Sequence, residues 1–208
     1  MITERPTGSS LLFAAAPAVF VVLWSTGFIG AKLGLPYAEP ATFLALRFAL
    51  VCLILGAITW LTGAEGPGTW KNAMHIMTVG ILVHGVYLGG IYLGISLGVS
   101  AGDSALIVGL QPMLTAVLAG PMLSEPVRAR QWVGFLLGTI GVALVSSRYL
   151  GLFDSSVIGV ILCVAAVTGM SVGTLYQKRF CSEMNLLSGS FLQFLAAALM
   201  MGIASLVF

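Results

Sequence analysis

The sequence predicts an all-α polytopic membrane protein of about seven transmembrane helices, and three observations lead there. The first is composition. Of 208 residues, 59% are hydrophobic and 8% charged, with a mean hydropathy of +1.06, whereas a soluble domain carries roughly a quarter of its residues as Asp, Glu, Lys or Arg. Second, the few charges divide the chain into uncharged stretches of the ~20 residues that a helix needs to cross a hydrocarbon core. Third, these stretches lack the alternation of polar and apolar residues that membrane strands require, and in lipid every backbone N–H and C=O must be paired within the segment. The formal net charge of +2 includes no basic run able to follow a phosphate backbone, which excludes nucleic-acid binding.

Taken in order, the crossings are Leu11 to Ala31, Ala41 to Leu61, Ala73 to Leu97, Ser104 to Gly120, Gln131 to Ser147, Val157 to Gln177 and Leu186 to Phe208. The first outruns the apolar region of a secretory signal, and its cluster Ala14-Ala15-Ala16 stands at its start instead of after it, so it reads as a retained helix. Leu35 to Pro40, Thr62 to Gly68, Ser100 to Gly102 and Glu125-Pro126 punctuate the connections, none long enough for a domain. Gly90, Gly94 and Gly98 recur every four residues, as do Gly134 with Gly138 and Gly169 with Gly173, a spacing that lets helix backbones approach closely. Cys52, Cys163 and Cys181 are far apart and form no C-x-x-C pair; they read as small apolar filler, with no disulfide, metal or cofactor expected.

An N-terminus on the cytoplasmic side places Arg5, Lys71, Arg128, Arg130, Lys178 and Arg179 inside and Lys32, Arg47 and Arg148 outside, six against three. Lys32 and Arg47 lie close to helix ends and read as snorkelling anchors ahead of ligand-binding groups.

Sliding the chain by 146 residues lays the sixth and seventh crossings on the first and second without a gap. Ser25 then falls on Ser171, Gly27 on Gly173, Lys32 on Lys178, Leu46 on Leu192, Phe48 on Phe194, Leu53 on Leu199 and Gly56 on Gly202; Met170 takes the place of Trp24, and Gln193 that of Arg47. An odd number of crossings separates the copies, so the second enters the membrane from the opposite side. Inverted repeats of this kind characterise secondary transporters, with the site near the midplane. The division is residues 1–147 as a five-helix repeat and 148–208 as the first two helices of an inverted second repeat.

Three groups of residues are candidates for solute contact. His84, at the centre of the third helix, is the one midplane group able to titrate near neutrality, and Tyr87 follows it on the same helical face. The pair is either a substrate or proton site or an interhelical hydrogen bond that satisfies the imidazole. Ser104, Gln111 and Thr115, seven and four apart, make a polar stripe on the fourth helix. Pro112 removes the usual donor of the Val108 carbonyl and should bend that helix, placing the stripe either on a cavity or on a packing kink. Asp103 reads as the N-cap of this helix ahead of a substrate carboxylate. Trp24, with Phe20 and Phe28 one turn to either side, lines a cavity or faces lipid.

Leu23-Trp24-Ser25-Thr26-Gly27-Phe28 through Lys32, then Glu39-Pro40-Ala41-Thr42-Phe43-Leu44-Ala45-Leu46-Arg47-Phe48, resemble the first two helices of EamA-type members of the drug/metabolite transporter superfamily. Tyr92 to Leu106, Gln111-Pro112, Ser124-Glu125-Pro126 and Gln131 to Val145 are similar to that family's later helices in order. The resemblance implies ten helices in two five-helix copies, so this chain reads as truncated after the second helix of the second copy. It also implies an inner-membrane exporter of small metabolites, amino acids or drug-like solutes, not an enzyme. The partners expected are a small-molecule solute and the bilayer, with a homodimer as a further expectation. The small four-helix multidrug exporters, known for a glutamate in their first helix, are disfavoured because Leu11 to Ala31 contains no acid. A non-transporting subunit or receptor-like bundle is the alternative. A serine hydrolase built from Asp103, Ser104 and His84 is disfavoured because His84 lies half a membrane away from the other two.

Overall fold

A computed structural model describes residues 9–124, 129–147 and 155–207. Arg5, Glu125, Pro126, Arg128 and Arg148 lie outside them. Among the described residues there are seven helices and no strand. These are α1 (Ser9–Gly34), α2 (Pro40–Thr62), α3 (Trp70–Ser96), α4 (Ala101–Leu123), α5 (Ala129–Ser146), α6 (Ser155–Phe180) and α7 (Leu186–Ala204). Six are long and apolar enough to span a bilayer, and α5, whose apolar part is Arg130–Val145, is the short one. The protein is therefore an all-α, multi-pass membrane protein.

Helix ends follow from local chemistry. Pro40 occupies the first turn of α2, where its missing N–H costs nothing. The same helix closes on Gly63 in the left-handed region (φ 62°), with Gly63 N–H donating to the Trp60 carbonyl and Ala64 N–H to that of Thr59. Thr69 caps α3 by accepting from Asn72 N–H at 3.2 Å, and Asn185 caps α7 by accepting from Leu187 and Ser188. At α4 the cap is Ser100, not Asp103: the Ser100 hydroxyl accepts from Asp103 N–H at 3.1 Å and donates to the Asp103 carboxylate. Asp103 is thus the third helical residue of a reciprocal capping pair, a position from which a carboxylate also complements the helix dipole.

Two helices depart from regularity. Ile81–Val86, in the middle of α3, is π-helical. α4 consists of Ala101–Val108 and Gln111–Leu123, interrupted at Gly109 and Leu110, with Pro112 in the first turn of the resumed helix. The irregularity expected at Pro112 therefore falls just before it, where Gly109 and Leu110 keep right-handed helical angles in a tightened turn, for proline is tolerated in a first turn and not in a helix interior.

The core forms where α3 meets α6 and α7, with α2 against α7. Phe48, Ile91, Tyr92, Cys163, Val167 and Ala197 are almost fully enclosed there. The small-residue spacing acts at this interface. A Cβ on Gly90 would stand 2.9 Å from the Leu162 carbonyl oxygen, and one on Gly94 2.8 Å from that of Gly159. Gly169 and Gly173 meet Val86 and Val83 just as closely, whereas Gly134 faces open space and Gly98 instead terminates α3 at φ 101°. On the outside, α1 and α5 expose apolar side chains nearly all round, as helices in contact with lipid do.

Candidate functional site

A cavity of about 340 Å³ opens among α1, α2, α3, α6 and α7. Its walls are mostly aromatic, and two stacked pairs define them. Trp24 of α1 lies against Tyr87 of α3, ring centroids 6.2 Å apart and 28° between planes. The His84 imidazole lies on Phe194 of α7 at 4.1 Å and 19°, with Phe48 of α2 at 6.2 Å. His84 and Tyr87 thus share the cavity but not a partner. His84 sits inside the π-helical turn and faces α7 and α2, whereas Tyr87 begins the regular helix that follows and faces α1.

The aromatic row on α1 belongs to this wall. Phe20, Trp24 and Phe28 line the cavity, and they also border a second one of about 710 Å³ that runs on toward α4. Met170 of α6 borders both as well. Positions that the 146-residue offset lays on one another lie together here: Trp24 and Met170 border the same cavity, as do Phe48 and Phe194, whose rings are 5.8 Å apart.

Arg47, expected as a snorkelling anchor ahead of a ligand-binding group, borders the cavity. It stands seven residues beyond Pro40, about 10 Å along α2 at 1.5 Å per residue. Its guanidinium donates to the Tyr92 hydroxyl at 2.9 Å, and that hydroxyl donates to the Gly27 carbonyl at 3.3 Å. Arg47, Tyr92 and Gly27 all border the aromatic cavity. The signal was available in the chain: two full helical turns separate Arg47 from Pro40, too far for a residue at a helix end. Lys32, exposed like Arg47, lies in the last turn of α1, where an anchor belongs.

The polar stripe of α4 is divided at the tightened turn. Gln111 and Thr115 stay together, Nε2 to Oγ1 at 3.4 Å, and the Gln111 carbonyl accepts from the Ser171 hydroxyl. Gln111 and Pro112 border the larger cavity. Ser104 is elsewhere, fully buried, its hydroxyl facing the Cys163 thiol of α6 at 3.8 Å. The interruption at Gly109 and Leu110 removes the continuous 3.6-residue rotation that would have aligned Ser104 with the other two.

At the opposite end of the bundle from Arg47, His75 Nδ1 lies 2.6 Å from the Tyr176 hydroxyl, and its ring stacks on Phe180 at 4.9 Å. Beside them Arg179 donates to the Met122 carbonyl at 3.0 Å, a cation at the C-terminus of α4 where the helix dipole favours one. This closes the bundle at the end where α4 and α6 finish.

Comparison with known proteins agrees with this architecture. The chain is 28% identical over 172 residues to the uncharacterized transporter YvbV of Bacillus subtilis, covering 81% of this chain and 54% of that protein. It is 26% identical over 159 residues to a protein of Salmonella typhimurium named "Probable amino-acid metabolite efflux pump", covering 76% and 51%. A protein of the same name in Escherichia coli is 24% identical over 163 residues, covering 78% and 52%. The chain spans about half the length of the curated relatives it matches. No solved structure matches it significantly. The sequence profile of the EamA-like transporter family matches residues 9–147, more than half of the sequence, and the chain belongs to that family.

Proposed function

We propose that this chain works in an inner-membrane secondary transporter that exports small organic solutes, with its N-terminus in the cytoplasm and alternating access between inverted halves. The observation that carries this reading is the aromatic cavity, bordered at once by both members of two repeat-matched pairs, Trp24 with Met170 and Phe48 with Phe194. A site between inverted copies can be exposed to one side and then the other by a rocking motion, with no covalent change to the solute. The volume of about 340 Å³ is that of a pocket for one small molecule. The relatives named as amino-acid metabolite efflux pumps support export and place amino acids and their derivatives first among solutes to try.

The test is flux. The purified chain in proteoliposomes should release a loaded mixture of radiolabelled amino acids and their acylated derivatives saturably. Trp24→Ala should slow that release about tenfold, the loss expected when a stacking partner is removed. Release no faster than from protein-free liposomes, with the chain shown to be folded, would overturn the reading. Single cysteines at Lys71 and Lys178 should label from one compartment and one at Lys32 from the other.

A further inference from the structure

We propose that Arg47 and Tyr92 form a carboxylate-binding subsite at the head of the aromatic cavity, and that the solute is an organic monocarboxylate with an apolar body of aromatic size. This deepens the reading of the cavity as the solute site and rests on it. Among the described residues that border the cavity, Arg47 is the one formally charged side chain, and no carboxylate borders it. A guanidinium has five N–H donors in a planar fork, and the neutral Tyr92 hydroxyl is the partner it meets here. Arg47 is exposed where it borders the cavity, and a planar carboxylate matches a guanidinium fork with two parallel charge-assisted hydrogen bonds.

The surroundings hold that fork in place and leave room before it. Tyr92 is 1% exposed, tied to the Gly27 carbonyl and seated against the Phe43 ring at 5.7 Å, so the hydroxyl that positions Arg47 is itself fixed. A Cβ added to Gly27 would meet nothing within 4 Å, so space lies open beside the pair. From there the cavity continues between the Trp24–Tyr87 and His84–Phe194 stacks, surfaces suited to a flat or branched apolar group. Among the described residues of these walls an ammonium group finds no opposite charge, so the carboxylate, and not the amine, is the recognised end.

The experiment uses the purified chain in maltoside micelles, titrated calorimetrically with N-acetyl-L-phenylalanine and with its neutral amide. The carboxylate should bind at least about tenfold more tightly, the scale of a charge-assisted bidentate pair. Arg47→Gln should bring it down to the level of the amide, Arg47→Lys should keep part of the preference, and Lys32→Gln should keep all of it. The preference in the unaltered chain, together with Arg47→Lys, decides the matter if Arg47→Gln does not fold. Equal affinity of the two probes, or a preference that survives Arg47→Gln, overturns the subsite and leaves the cavity as a solute site. Failure of both probes to bind overturns the subsite and the solute cavity together. Adding phosphatidylglycerol separates the two sources of anion: unchanged carboxylate affinity supports a free solute, and its loss overturns the proposal in favour of a lipid phosphate on Arg47.

Discussion

α3 and α1 have similar lengths and similar apolar composition, yet 44% of the spanning part of α3 is buried against 6% for α1. α3 is held by α6 and α7 through glycines that bring backbones into contact, so its position is set by steric fit. α1 rests on α3 and α4, with Ala31 the one buried side chain among its described residues, and its residues from Phe20 to Phe28 border the cavity. The contrast teaches where the bundle is rigid and where it has latitude. Close-packed helices form a frame, and the loosely seated helix supplies one wall of the aromatic cavity.

Gly94→Leu is the most severe way to break this contrast. Its side chain would be driven into the Cys163 thiol and the Gly159 carbonyl, 2.5 and 2.8 Å from where a Cβ would stand. Overpacking of this kind costs about 3 kcal/mol, and it should appear as loss of monodisperse protein in size-exclusion chromatography. Gly27→Leu probes the loose side. Its Cβ has open space, so thermal stability should hardly change, while the added bulk fills the cavity and should cut solute release about tenfold, measured in proteoliposomes. If Gly27→Leu unfolds the chain, the latitude assigned to α1 is wrong. The smallest effect is expected at Ser100→Ala, which removes the cap of the framework half of α4 and should lower stability by about 1 kcal/mol, read by thermal melting, with solute affinity unchanged.

The helices were legible in the sequence because each is a long apolar run between charges or turn residues, and the glycine spacing at positions 90 and 94 marked a close backbone approach, which the structure makes between α3 and α6. Trp24, His84, Tyr87 and Gln111 border cavities. What stayed hidden depended on helical phase. A uniform 3.6-residue rotation put Ser104 in line with Gln111 and Thr115, but the chain abandons that rotation at Gly109 and Leu110. Starting the fourth helix at Ser104 makes Asp103 its cap, although the Ser100-x-x-Asp103 spacing of a capping box is present in the chain. Placing Arg47 near a helix end makes it an anchor, and its bond to Tyr92 at the cavity depends on a tertiary contact that the chain does not spell out.

The π-helical turn at Ile81–Val86 spaces its hydrogen bonds five residues apart and so accommodates more residues per turn than its neighbours. This gives α3 an unequal tolerance to changes in chain length. Removal of one residue inside the turn can be absorbed by reversion to an ordinary helix, leaving Tyr92 in register with Arg47. The same deletion within Tyr87–Ser96 has no slack to draw on, and every later side chain would swing by about 100° around the axis.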